Sequence, residues 1–503
     1  MMKSLIVAHR DRARLQEILG IASRFGLGVL LKRLGLERVG SVEGEAGEDL
    51  PRRARLAIES LGPTFVKLGQ ILATRGDLLP REWIAELEQL HSRAPTLSFE
   101  ELRAAVEEVL GEPPETAFAS FDPEPLAAAS MAQVHRATLH DGREVVLKIR
   151  RPGIRPRMEA DLRLIAQLAA VAEAASAEAR RFAPAAMMRQ LAEAVLEELD
   201  FTNEGRNADR LRADFAHEPR VLVPDIHWSW SSEMLLVMDY VDGTPPRGGD
   251  ILRAADIDPA AIAALGADTI LDMVLINGRF HGDPHPGNLL CLPDNRIALL
   301  DLGMIGHVSP RRREEFIAFV QSLNGGDPAQ LADVLAGWSA GSGVPPERVQ
   351  VAAERLVARH GGGRLVLSAM VADFLPLMRE EGMTMPPDLL LIFKALVTID
   401  GVLSAIQPGF DLSEAMQRSS LRIARARLSP EHWGPILQAF VWELAKIGDD
   451  APHLVRAAIR RLETGPTTGP PPDQLAALSM AGRWIAGAIV AGATIVAAAL
   501  LLR

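Results

Sequence analysis

Cysteine is almost missing from this chain of 503 residues. The lone Cys291 can close no internal disulfide and build no thiolate metal cluster, so the soluble body is expected in a reducing, cytoplasmic compartment. Aromatic residues make up only 5%, while Ala, Leu, Glu and Arg fill long stretches. That composition predicts a mostly helical protein with little sheet. Positive charge is in deficit: Lys+Arg 54 against Asp+Glu 65 leaves −11, which excludes a general nucleic-acid binder. Ser4 to Ala8 is too short an apolar run for a secretory signal. No internal repeat is visible.

Lysine is the second scarcity. It stands only at Lys3, Lys32, Lys67, Lys148, Lys394 and Lys446, and every other cationic side chain of the Lys/Arg pair is arginine. Arginine therefore serves wherever a generic positive charge is enough. Lys67 and Lys148 fall in motif-bearing segments, where a compact ammonium can do what a planar guanidinium cannot.

With 48% hydrophobic residues the chain can bury large cores, and it divides into several segments. Residues 1–50 read as N-terminal amphipathic helices; the stretch Ile21 to Val39, with Arg24, Lys32, Arg33 and Arg38, would suit a helix on anionic lipid or one packed on the body. Residues 51–115 are helical, with polar interruptions. β-type runs follow at Ala132 to Leu139 and Glu144 to Ile149 around the turn His140-Asp-Gly-Arg143, with a further extended run at Glu233 to Val241, giving a lobe over 116–241. Residues 242–463 are nearly all helical, apart from a hairpin expected around Pro293-Asp294-Asn295.

Residues 464–483 carry a Pro/Gly linker, Thr464 to Pro472, and a flank ending in Arg483. Trp484 to Leu502 is uncharged and long enough, at roughly 28 Å, to cross one hydrocarbon core. A single C-terminal transmembrane helix is expected, with Arg456, Arg460, Arg461 and Arg483 holding the body on the cytoplasmic side. Gly487, Ala488, Ala491 and Gly492 would let a second helix approach closely, which leaves a homodimer open.

The chemistry concentrates in His281-Gly-Asp-Pro-His-Pro-Gly-Asn288, followed after the hairpin by Asp301-Leu302-Gly303. An Asp, an Asn five residues on, and an Asp-apolar-Gly is the order in which kinases assemble a base and two metal ligands. Asp283 could take a hydroxyl proton or orient water, while Asn288 and Asp301 supply the oxygen ligands magnesium requires. A metal-hydrolase reading of His281, Asp283 and His285 is open as well, although no further zinc signature accompanies it. Upstream, Val145-Val-Leu-Lys148 ends a strand where kinases place the lysine that binds ATP phosphates. Leu126, Ala127, Ala128, Ala129, Ser130, Met131, Ala132, Gln133 and Val134 occupy the place of the glycine-rich phosphate loop, without a single glycine; alanine allows close backbone approach but restricts φ.

These motifs, with Lys67-Leu-Gly-Gln70, Glu198-Leu-Asp200, Thr74 to Pro80 and Thr398-Ile-Asp-Gly401, resemble the UbiB (aarF-domain) family of atypical kinase-like proteins, over roughly Arg52 to Leu412. The resemblance implies an α+β, mostly helical, bilobal protein-kinase-like domain with an N-terminal helical extension over the active site, binding ATP and Mg2+. It makes Glu204 the partner of Lys148, sets Lys67 against the acidic pair Glu198 and Asp200, and projects Lys67 and Gln70 toward the space where an ordinary kinase admits a peptide. It also implies a role in ubiquinone biosynthesis at the bacterial inner membrane, with membrane lipid (a quinone precursor) and a biosynthetic protein complex as partners. The same residues would serve a protein or small-molecule kinase, or a nonenzymatic scaffold switched by nucleotide. Gly282 and the lack of Ala-Pro-Glu after Asp301 depart from ordinary kinases and argue against control by activation-loop phosphorylation, and Leu302 replaces the usual Phe. His91-Ser92-Arg93 stands where many family members carry Gln-Asp.

Overall fold

The computed structural model describes residues 12–26, 49–73, 79–90, 96–175, 184–339, 343–362, 367–383 and 385–410, with 412, 415, 416, 418 and 419. All belong to one compact unit, Met1–Ile423. The linker, the expected C-terminal span, most of Ile21 to Val39, Thr74 to Leu78 and His91 to Arg93 lie outside the described residues.

The described residues open with helices α1 (Arg12–Arg24), α2 (Leu50–Leu61), α3 (Pro63–Ala73), α4 (Arg81–Leu87), α5 (Phe99–Leu110) and the single turn α6 (Pro114–Ala117). Strands β1 (Ser120–Ala128), β2 (Ala132–Thr138) and β3 (Glu144–Arg150) follow, then helices α7 (Ile154–Ala175), α8 (Pro184–Glu198) and α9 (Phe201–Asp214), and strands β4 (Val221–Leu222) and β5 (Leu235–Asp239). The remainder runs α10 (Gly249–Ala254), α11 (Pro259–Asp272), β6 (Arg279–His281), β7 (Leu289–Leu292), β8 (Arg296–Leu299), β9 (Ile305–His307), α12 (Pro310–Gly325), α13 (Pro328–Trp338), α14 (Pro346–His360), α15 (Leu367–Glu380) and α16 (Pro387–Ile406).

β1, β2, β3 and β5 form one antiparallel sheet in that order. Alternation along β3 buries Val145, Leu147 and Ile149 with Phe99, Leu102 and Val106 of α5, so the period of two turns Lys148 to the opposite face. Strand β1 adds to the strands expected from the sequence, and it carries Pro123 and Pro125. It survives as the edge of the sheet, with pairing irregular on either side of Pro125, where a missing N–H costs no ladder bond.

A second core fills the helical lobe around Phe316, Phe319, Trp338, Phe374 and Phe393. Its helices start on strong signals: Asp258, Ser309 and Asp327 each cap a helix whose first residue is proline. The hairpin β7–β8 forms as expected, and its turn puts Asp294 at φ +62° and Asn295 at +56°, the residue types that tolerate this region. Two helical stretches, Pro259–Asn277 and Asp388–Ile406, are long and apolar enough to cross a membrane by composition, but 67% and 56% of their apolar windows lie buried within this core.

The N-terminal helices pack on α7 and α8. Ile18, Leu61 and Phe65 meet Met158, Leu162, Ile165, Leu191 and Val195. An ion pair lies within this contact: Arg14 donates from Nε and Nη2 to the Asp161 carboxylate at 2.6 and 3.0 Å, and the Thr64 hydroxyl donates to the same group at 2.9 Å. Asp161 and Thr64 are fully buried. Arg379 of α15 donates to the carbonyl of Leu79, and Arg81 of α4 donates to that of Ala372, so the extension is also fastened to the helical lobe.

Candidate functional site

The site lies where the two cores meet. Lys148 leaves β3 on the face away from α5 and places Nζ at 2.9 and 2.8 Å from the two oxygens of Glu204, in the first turn of α9. The same ammonium reaches Asp301 Oδ1 at 3.3 Å, and the ring of Phe201 lies 5.5 Å beneath it. Two carboxylates thus share one ammonium, and Glu204 is buried. Burial lowers the ammonium pKa, but Asp301 and Glu204 outweigh it and hold Lys148 above its ordinary value. Lys148 in turn depresses Asp301 to about 2 against the opposing effect of burial, with smaller help from Lys67. Burial pushes Glu204 up to about 7, against the pull of Lys148. The cluster carries a negative excess that a cation would relieve.

Asp301 adopts φ +48°, rare for a residue with a side chain. Gly303 lies beside it: a β-carbon there would meet Asp301 Oδ1 at 3.3 Å and Glu204 Oε2 at 3.7 Å, so glycine keeps space next to both carboxylates.

The 281–288 loop is fixed from within. The Asp283 N–H donates to His281 Nδ1 at 3.2 Å, and His281 Nε2 donates to the Leu300 carbonyl at 3.0 Å. Both ring nitrogens are occupied, and burial lowers the His281 pKa, so the ring is neutral and structural. This disposes of the metal-hydrolase reading; among the described residues no group of three His, Cys, Asp or Glu could hold a metal. Asn288 donates from Nδ2 to the Asp283 carbonyl at 3.1 Å, and its own carbonyl accepts from the Leu300 N–H at 2.8 Å. That orientation leaves the amide oxygen of Asn288 available to a cation, one residue from Asp301 across the hairpin.

Lys67 of α3 places Nζ at 2.5 Å from Glu198 Oε2, at the end of α8. One acidic residue of the motifs behaves differently from the reading above. Asp200 does not pair with Lys67: its carboxylate caps α9, accepting from the Thr202 N–H at 3.0 Å and hydroxyl at 2.7 Å. Gln70 donates to the Leu90 carbonyl at 3.3 Å, joining α3 to the end of α4.

In the 126–134 segment, Ala129 to Met131 make the turn between β1 and β2, closed by the Ala129 N–H on the Ala132 carbonyl at 2.8 Å. Leu126 and Ala127 are exposed, and Ala128 and Ser130 half-buried. Met131 is buried in the core shared with the extension. Ala132 is buried beside Phe201 and Leu236, and Val134 is half-buried opposite Lys148. Gln133 is turned away from any ligand: it is fully buried, and its amide exchanges two 3.0 Å bonds with the backbone of Leu97. A buried amide needs such partners, and the backbone ahead of α5 supplies them.

One site contact passed unnoticed in the sequence. Lys394 of α16 places Nζ at 3.0 Å from Asp283 Oδ1. Its scarcity as a lysine was the only signal.

A sheet lobe and a helical lobe that bring a strand lysine, a helix glutamate and two loop carboxylates together define a kinase-like protein. Residues 89–335 match the ABC1 atypical kinase-like domain, and residues 363–411 match the UbiB helical domain. The chain is 32% identical over 474 residues to the Xylella fastidiosa (strain 9a5c) protein called probable protein kinase UbiB, covering 90% of this chain and 84% of that one. It is 33% identical over 429 residues to the Marinobacter nauticus protein of the same name, covering 82% and 78%. It is also 33% identical over 364 residues to the chloroplastic activity of bc1 complex kinase 7 of Arabidopsis thaliana, covering 71% and 52%. A solved erythromycin complex of Rv3197 from Mycobacterium tuberculosis superposes with a TM-score of 0.49 at 22% identity, covering 69% of this chain and 90% of that one. The chain belongs to the UbiB family of atypical kinase-like proteins.

Proposed function

We propose that the chain binds ATP with Mg2+ between its lobes and turns it over, as an ATPase or phosphotransferase serving quinone-lipid biosynthesis at the bacterial inner membrane. The observation that carries this is the shared Lys148, Glu204 and Asp301 cluster, tied through Leu300 and Asn288 to Asp283. Asp301 and Asn288 offer oxygen ligands of the hard type that Mg2+ takes, too few to hold it without phosphate oxygens, which is how nucleotide sites use that ion. Once bound, Mg2+ would offset charge on the β- and γ-phosphates.

Lys148, positioned by Glu204, would reach phosphate oxygens in place of Asp301. The turn from Ala129 to Met131 would lie over the phosphates. Asp283 would accept the proton released as the attacking oxygen bonds to the γ-phosphorus, while the bond from that phosphorus to the β,γ-bridging oxygen breaks and ADP leaves. Lys67 lies near enough to influence Asp301, so the extension belongs to the same electrostatic unit. In this reading nucleotide turnover shifts the extension, and a C-terminal span at Trp484 to Leu502 keeps the cytoplasmic body beside the lipid precursor it handles. The quinone assignment rests on the family resemblance.

The test is nucleotide hydrolysis with and without liposomes carrying a phenolic head-group lipid. The reading expects stimulation by the lipid and loss of turnover in Asp301→Asn. Equal rates in both media, with the variant no slower, would overturn it.

A further inference from the structure

Asp283 has its backbone anchored on both sides, by the N–H on His281 and the carbonyl under Asn288. Its carboxylate is held separately. Lys394 Nζ sits 3.0 Å from Oδ1, whereas Oδ2 faces only the more distant His285 Nε2 at 3.8 Å. We propose that Lys394 is a positioning residue for phosphoryl transfer: the UbiB helical segment supplies the cation that fixes the Asp283 carboxylate and leaves its second oxygen to take the proton. This rests on the phosphoryl-transfer reading above and adds a residue from outside the kinase-like domain.

Three observations support it. The first is rigidity. Around Lys394, Ile392, Phe393, Ala395 and Leu396 are all buried, and Arg312 Nε donates to Asp388 at 2.9 Å near the start of the helix. Lys394 shares the half-exposed stripe of α16 with Leu391 and Thr398, at spacings of three and four. Further along, Ile399, Val402, Leu403 and Ile406 line an apolar cavity with His281 and Pro284, so the helix runs against the 281–288 loop over several turns. An ammonium on such a support has little freedom to leave Asp283.

The second is composition. Among the described residues the lysines are Lys67, Lys148 and Lys394, and each is paired with a carboxylate of this site: Glu198, then Glu204 and Asp301, then Asp283. Every other Lys/Arg cation among the described residues is arginine, so lysine stands only at these places there. At Asp283 the Lys394 ammonium lies against Oδ1 and leaves Oδ2 to the more distant His285, whereas a guanidinium fork tends to engage both oxygens.

The third is charge. Asp283, Asp301 and Glu204 would together meet a triphosphate. Lys148 serves the latter two, and Lys394 supplies the balancing charge for Asp283. Without it, a carboxylate near phosphate would be repelled from the position its proton-accepting role requires.

The test is a double-mutant cycle on the full chain: wild type, Lys394→Met, Asp283→Asn and the double variant, each with kcat, KM for MgATP and thermal melting. Methionine keeps the stem of the side chain and removes the charge. The expected result is a fall in kcat of about tenfold or more for Lys394→Met, KM within about twofold, and no further loss when it is added to Asp283→Asn. Lys394→Arg should recover part of kcat. If Lys394→Met melts early, Lys394→Gln, which keeps a donor without the charge, carries the same comparison. Wild-type kcat for Lys394→Met, or losses that multiply in the double variant, would overturn the assignment. Wild-type turnover no faster than Asp301→Asn would instead bring down the phosphoryl-transfer reading itself.

Discussion

Replacing Lys148 with methionine isolates the electrostatics of the site. The ammonium is the shared partner of a buried carboxylate, Glu204, and a half-exposed one, Asp301. Glu204 stands at about 7 with Lys148 in place, and removing the ammonium removes a cause that lowers it, so its pKa moves higher. A carboxyl whose folded pKa is raised contributes stability that is present below its unfolded value and lost as pH rises through the folded one. In wild type that loss runs from about 4.5 to about 7. In Lys148→Met it extends further into the alkaline range, at up to about 1.4 kcal/mol for each pH unit.

The variant should therefore be only slightly less stable than wild type at pH 6. By pH 9, two pH units above the wild-type Glu204 value of about 7, the difference should have grown by up to about 3 kcal/mol at that slope. Asp301 works in the opposite sense: its depressed pKa of about 2 adds stability that is complete above its unfolded value and disappears as pH falls through about 2. Urea unfolding at both pH values measures the first effect. A stability difference that is the same at pH 6 and pH 9 would refute the reasoning, and the Glu204→Gln companion should abolish the slope.

Arg14→Ala leaves Asp161 buried with only the Thr64 hydroxyl among its named partners, and should cost about 3–5 kcal/mol by urea unfolding; a loss below about 0.5 kcal/mol would show that this pair does not hold α1 to α7. Gly306→Ala drives a β-carbon to 2.3 Å from the buried Phe280 ring, next to His281; about 1–3 kcal/mol of destabilisation is expected in thermal melting. Cys291 is 1% exposed and burial pushes its thiol up to about 12, so a thiol reagent should label the native chain far more slowly than the urea-unfolded one.

Much of the site could be read from the letters, because kinase chemistry is written in short segments of fixed order. Asp283, Asn288, Asp301 and Lys148 came from motif spacing, and the structure joins them through the β7–β8 hairpin and the reach of β3 to α9. The misreadings share one cause. Asp200 and Gln133 stand inside motif segments, and a sequence cannot tell a side chain that meets a ligand from one that satisfies a neighbouring backbone. A short acidic residue ahead of Phe201 is also a helix cap, and a glutamine beside a loop is also a buried tether. Lys394 shows the opposite failure, since 111 positions separate it from Asp283 and no local pattern announces the contact. β1 was missed because two prolines disguise an edge strand, and the Arg14–Asp161 pair because its partners lie 147 residues apart.

The central claim is that Lys148, Asp283, Asn288 and Asp301 form one site for a nucleotide triphosphate with its cation. Titration calorimetry of ATP against the purified chain, with and without Mg2+, tests it most directly. Binding should require Mg2+ and weaken by about tenfold or more in Asp301→Asn. Binding that ignores both the ion and the substitution, or no binding by the wild type, would contradict it.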